Sequence, residues 1–188
     1  MRGLTVATHA HGTSGIKTAI KAGVDSVEHV SLLDEEGIEL ALEHGTYFSM
    51  DIYVTEYILS EGEKAGILEE SLAKERIVGK RQRENFQKAV KAGVKMVFGS
   101  DAGVYPHGDN GKQFARMVTF GMTPMQAIQA ATIHPATLLK QQDTLGSISA
   151  GKKADIVGVK GNPLEDISLL ENVGLVVKDG HIVKSVYM

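Results

Sequence analysis

The chain has 188 residues and a formal net charge of -3, long enough for one substantial domain, or a domain with an appendage, around a buried core. It has neither cysteine nor tryptophan, which excludes disulfides, a thiol nucleophile and a thiolate-held metal, so any metal has to be bound by imidazole and carboxylate. The charge gives no general attraction for nucleic acid or an anionic membrane, no apolar run approaches the roughly 20 residues that span a bilayer, and Met1-Arg2-Gly3 does not begin a secretory signal; a soluble, cytoplasmic protein is expected.

In chain order, residues 4–8 read as a strand that gives way at Thr8-His9-Ala10-His11-Gly12, and residues 14–22 as a short helix stopped by Gly23. A second strand over 24–28 delivers His29. Residues 34–44 form a helix with Asp34, Glu35 and Glu36 at its amino end, where the helix dipole favours acids, and residues 46–50 form a third strand. Residues 51–66 mix aromatics, acids and glycines without a clean period, as a lid, a specificity loop or a plain surface excursion would. A long helix over 68–92 leads to a fourth strand over 95–98, and Asp101 follows. Strands alternating with helices in this way predict an α/β fold with parallel strands, whose carboxyl ends collect side chains distant in sequence.

Beyond Asp101 comes a loop with Tyr105-Pro106-His107, then a helix pair over 112–120 and 124–133 with Thr123 as N-cap and Pro124 at the first helical position. A short helix from His134 to Lys140 follows. After residue 145 the texture changes to short strands at Ile148, 154–159, 173–177 and 182–186, with Lys178-Asp179-Gly180-His181 as a hairpin turn. The expected domains are therefore 1–145 and a small β portion, 146–188.

His9, His29 and Asp101 each sit at a predicted strand end, and together they form the strongest constellation. Imidazole can donate a lone pair to a divalent ion, and a carboxylate can bind the ion or take a proton from an activated water, so the pattern points to hydrolysis. His11 is open to three roles: a second ligand, a substrate contact or part of a polar rim. His107 either orients substrate or is simply exposed, and Tyr53 either meets substrate or packs. Glu28 should face away from its neighbour His29 on a strand. His134, His44 and His181 have sufficient structural explanations at helix ends and a turn. There is no nucleophile elbow around Ser100, and no phosphate loop or dinucleotide fingerprint.

At these residues the sequence resembles the carboxyl-terminal half of a metal-dependent enzyme of the amidohydrolase superfamily, in the branch of imidazolonepropionase-like amidohydrolases and Xaa-Pro or Xaa-Arg dipeptidases. Thr8-His9-Ala10-His11-Gly12 resembles the end of barrel strand five, Gly23-Val24-Asp25-Ser26-Val27-Glu28-His29 strand six, and Gly99-Ser100-Asp101-Ala102-Gly103 strand eight. His134-Pro135-Ala136-Thr137-Leu138-Leu139, Gly146-Ser147-Ile148 and Gly151-Lys152-Lys153-Ala154-Asp155-Ile156-Val157 resemble the passage from barrel to β-sandwich, and the likeness extends almost to Met188.

The resemblance implies strands five to eight of a TIM-like (β/α)8 barrel followed by part of a β-sandwich. It implies His9, His29 and Asp101 as metal ligands, zinc first among the candidates and one or two ions in an intact site. Catalysis would fall to Asp101 and His29, with Asp101 passing a proton toward the leaving nitrogen; His11, His107 and Tyr53 would face substrate. The substrate would be an amide, small peptide or cyclic amide. The sequence departs from the family in lacking the preceding His-x-His strand and the strand-four lysine. Three explanations compete: the chain is part of a longer enzyme, it assembles with a complementary amino-terminal half, or two copies pair; the alternative function is a non-catalytic fragment or assembly subunit.

Overall fold

The computed structural model describes residues 3–187; Met1 and Arg2, which belong to the stretch considered above for a secretory signal, and Met188 lie outside the described residues. The first part of the chain repeats strand and helix. Strands β1 (Ala7–Ala10), β2 (Ser26–His29), β3 (Tyr47–Ser49) and β4 (Met96–Val97) pair in parallel, in chain order, as an open four-stranded sheet with β1 and β4 at its edges. Helices α1 (Thr13–Lys21), α2 (Glu35–His44), α3 (Val54–Glu61) and α4 (Glu69–Ala92) make the crossovers.

Local chemistry explains where these helices start and stop. In α1 the buried residues Ile16, Ala19 and Ile20 recur at helical spacing, giving one stripe to bury. The Asp34 carboxylate accepts from the Gly37 amide at 2.8 Å, capping α2, and Gly45 ends it with a φ of 68°, where a side chain would be strained. Val27, Phe48 and Met96 carry the sheet's apolar face into a core shared with Ile20, Ala41, Phe86 and Ala89. Burying Val27 and Phe48, both at 0% exposure, stabilises the fold by about 1.5–3 kcal/mol each.

Three expectations need correction. The aperiodic stretch 51–66 is no open lid: it contains α3, and Met50 through Thr55 are consecutively buried, so no helical period shows in the sequence. The helix expected over 124–133 is two: α6 (Pro124–Ala130) ends where the Ala130 carbonyl accepts from the Phe98 amide at 2.8 Å, and α7 (Ile133–Leu138) starts afresh after the non-helical Thr132. Ile148 is in no strand and is 82% exposed.

Helix α5 (Lys112–Thr119) is anchored from inside by Gln113, at 0% exposure; its Nε2 donates to the Met50 carbonyl at 2.7 Å and its Oε1 accepts from the Tyr53 amide at 2.8 Å. Strands β5 (Ile156–Gly158), β6 (Leu175–Lys178) and β7 (His181–Ser185) form a second, antiparallel sheet. Its hairpin turns on Asp179 and Gly180, with φ of 48° and 80°, as the Asp-Gly pair predicts. A 3-10 turn, Ile167–Glu171, packs this part against α5.

Two predictions follow from the way α3 and α5 are held. Gln113→Leu leaves a buried amide and a buried carbonyl without partners and should lower stability by about 2–4 kcal/mol in urea unfolding. Arg116 on α5 makes a two-pronged ion pair with Glu56 on α3 and holds its carboxyl below the ordinary value of 4.5. A depressed carboxylate stabilises the fold above its unfolded pKa and loses that contribution as pH falls through the folded one. The urea midpoint gap between wild type and Glu56→Gln, at most about 1 kcal/mol for a partly exposed pair, should be full at neutral pH and close as the pH drops below 4.5.

Candidate metal centre

The parallel register separates the two faces of the first sheet. Thr8, Ala10, Val27, Phe48 and Met96 are aligned on the face covered by helices, and His9, Glu28 and Ser49 on the other. Strict alternation would turn His29 toward the helices. Instead His29 and Val30 adopt φ of 69° and 52°, and this left-handed pair swings the His29 imidazole to the side of Glu28. The expectation that Glu28 faces away from His29 is thus overturned: both line one cavity of about 180 Å³ with Ser49, Asp51, Gly99, Ser100 and Asp101. Gly99 leaves room for Ser49: a Cβ on it would lie 2.2 Å from Ser49 Oγ and force that hydroxyl to rotate away.

Three imidazoles meet at the mouth. Ring centroids are 4.7 Å apart for His9 and His11, 4.4 Å for His9 and His29, and 4.6 Å for His11 and His29, the last pair stacked. His9 and His11 are two residues apart on one extended segment and so share a side. Two sets of donors, His9 with His11 and His29, and His29 with Asp51 and Asp101, each have ligand atoms within 4.8 Å of one another. His29 belongs to both. Nitrogen and carboxylate oxygen in this grouping fit a divalent ion, without selecting zinc over its neighbours.

The electrostatics differ from ring to ring. The Asp51 hydrogen bond raises the His29 pKa, outweighing the burial that works against it. Burial, then the neighbouring His29 and His9, pushes the His11 pKa down, which favours the neutral ring with a lone pair to give. Asp101, at the end of the loop after β4, has a φ of 49°, a third left-handed residue among the lining groups and their neighbours.

The structure does not bring every candidate together. His107 lies exposed on the loop before α5, outside both donor sets. Tyr53 is 5% exposed and stands edge-on to Tyr105 at 5.0 Å, in a small apolar cluster with Val54. His134 Nδ1 lies 2.8 Å from the Met96 carbonyl, in keeping with a structural role at the start of α7.

Sequence reasoning passed over Asp51, at 4% exposure, whose Oδ2 is 3.0 Å from His29 Nδ1. The signal was available, since Asp51 immediately follows the strand predicted over 46–50, as His29 follows the strand predicted over 24–28. It also missed Gln82 and Asn85 of α4, both buried beneath the cluster. Nothing in a run rich in Arg, Lys, Gln and Glu marks those two as different from a solvated helix face.

The sequence profile of the amidohydrolase family matches residues 1–183. Ochratoxinase from Aspergillus niger is 38% identical over 169 residues, covering 88% of this chain and 34% of that protein, and its crystal structure superposes with a TM-score of 0.83. The crystal structure of a Xaa-Pro dipeptidase with bound methionine in the active site is 49% identical, with a TM-score of 0.90 over 97% of this chain and 45% of that one. Imidazolonepropionase from Fusobacterium nucleatum subsp. nucleatum is 26% identical over 145 residues, which is 76% of this chain and 30% of the relative. The chain spans less than half the length of these relatives. With a parallel α/β sheet whose strand ends gather three imidazoles and two carboxylates, and a family profile matching nearly its whole length, the chain belongs to the amidohydrolase family.

Proposed function

We propose that this chain contributes to a metal-dependent amidohydrolase that cleaves the C–N bond of an amide, a dipeptide or a cyclic amide. The observation that carries the reading is the pair of donor sets sharing His29 at one end of the parallel sheet. In this reading β1 to β4 are strands five to eight of an eight-stranded barrel, residues 1–145 form the barrel part, and residues 146–188 belong to a β-sandwich. The partial coverage of longer relatives supports that placement. The remaining strands come from the rest of a longer protein, a complementary chain or a second copy.

His9 and His29 would hold the ion, zinc for preference, with Asp101 beside them. When bound, such an ion lowers the pKa of water and polarises a carbonyl. The other steps belong to side chains. Asp101, exposed and facing the cavity, takes a proton from the attacking water and passes it to the leaving nitrogen. His11, kept neutral by burial and by the neighbouring rings, faces the substrate carbonyl or carboxylate as a hydrogen-bond donor. His107 and Tyr53 lie outside this arrangement. The small cavity suits a compact amide.

Metal analysis of the purified protein, paired with assays on Xaa-Pro dipeptides and simple amides, tests this reading. The expected result is stoichiometric divalent metal and turnover that a chelator abolishes. His9→Ala and His29→Ala should each lose metal, whereas Asp101→Asn should lower kcat by about 10²–10⁴-fold. Protein with neither bound metal nor metal-dependent turnover, alone or with a complementing chain, would overturn the proposal.

A further inference from the structure

We infer that Gln82, in the middle of helix α4, is a positioning residue that decides which nitrogen of His29 faces the cavity, by clamping Asp51 and the His29 backbone together. Gln82 is 4% exposed. Nε2 donates to the His29 carbonyl at 3.0 Å and to Asp51 Oδ1 at 3.1 Å. Both partners are acceptors only, so both amide hydrogens are committed and the orientation of the amide is forced.

The consequence passes through Asp51 to the ring. His29 Nδ1 lies 3.1 and 3.0 Å from the two oxygens of Asp51. A carboxylate has no hydrogen to give, so Nδ1 carries the proton and the neutral ring keeps its lone pair on Nε2. That is the arrangement in which a carboxylate orients a metal-ligating imidazole. The clamp also acts on the backbone: the carbonyl that Gln82 grips belongs to the left-handed His29, whose conformation brings the ring to the cavity.

A second amide one turn along α4 makes the matching contact. Asn85 Nδ2 donates to the Ser31 carbonyl at 3.0 Å, and Ser31 Oγ is 2.8 Å from His11 Nδ1. Thus α4 holds both ends of the turn 29–31, and each hold leads to an imidazole of the cluster. An apolar side chain of the same length would fill the space beneath the sheet. Only a double donor can satisfy both acceptors that Gln82 meets, the His29 carbonyl in the turn and the Asp51 carboxylate after β3.

The functional weight of this inference rests on the reading of His29 as a metal ligand, but the ring tautomer belongs to the chain without any ion. The test is therefore made in two parts, on wild type, Gln82→Met, which keeps length without donors, and Gln82→Glu, which sets an acceptor against two acceptors. Imidazole nitrogen-proton correlation spectra of metal-free protein in mildly alkaline buffer report the His29 tautomer, and titration with zinc reports affinity. Thermal unfolding identifies the variants that fold. Wild type should show the proton on Nδ1. Gln82→Met should show mixed tautomers and zinc affinity weaker by about 10–100-fold, and Gln82→Glu a larger loss.

A wild-type ring with its proton on Nε2 overturns the inference without recourse to any variant. So does a folded Gln82→Met with unchanged tautomer and unchanged affinity. A tautomer shift in Gln82→Met in a protein that binds no zinc supports the clamp and counts against the metal reading alone.

Discussion

The arrangement depends on strands pairing in one direction. Parallel neighbours in register leave their carboxyl ends side by side, so residues at or just beyond the ends of β1, β2, β3 and β4 are close in space although nearly a hundred residues separate the first from the last. His9, His29, Asp51 and Asp101 occupy these positions because the ladder leaves them no other place. The helices cover Val27, Phe48 and Met96 on the opposite face, and the polar face is left to chemistry.

That division would fail at His29 without a break in the backbone rule. Left-handed conformation is costly for a β-branched residue such as Val30, of order 1–3 kcal/mol. The turn is held by many small contacts: the Val30 amide to the Ala10 carbonyl, the Leu32 amide to the His11 carbonyl, and the amides of Gln82 and Asn85 from below. Strain at the ring's own backbone is offset by hydrogen bonds made to its neighbours. The Gln82 and Asn85 amides of α4 are in this sense a scaffold for the cavity, and their desolvation is offset where their N–H groups meet acceptors.

Much of this was legible before the structure, for a physical reason. An apolar run that stops at a histidine or aspartate is a local signal, and His9, His29 and Asp101 carry it. The βα alternation, the Thr123 cap and the Asp179-Gly180 turn are local too, and each appears where expected. Asp51 obeys the same rule but stands before a stretch whose burial is continuous rather than periodic, so the end of the strand and the start of α3 merge in the sequence. The side to which His29 points could not be read, because the answer lies in its own φ and that of Val30. Gln82 and Asn85 were invisible for the opposite reason: a polar residue on a polar helix acquires meaning only from what is placed beneath it.

Strand order equal to chain order also has a temporal side. Each new βα unit docks on the one made just before it, so a chain emerging from its amino end can build the sheet without waiting for distant pairing. The imidazoles of β1 and β2 can meet early. The turn that aims His29, however, is gripped from α4, some fifty residues further on, so the final aim of the ring depends on a contact between segments far apart in the chain.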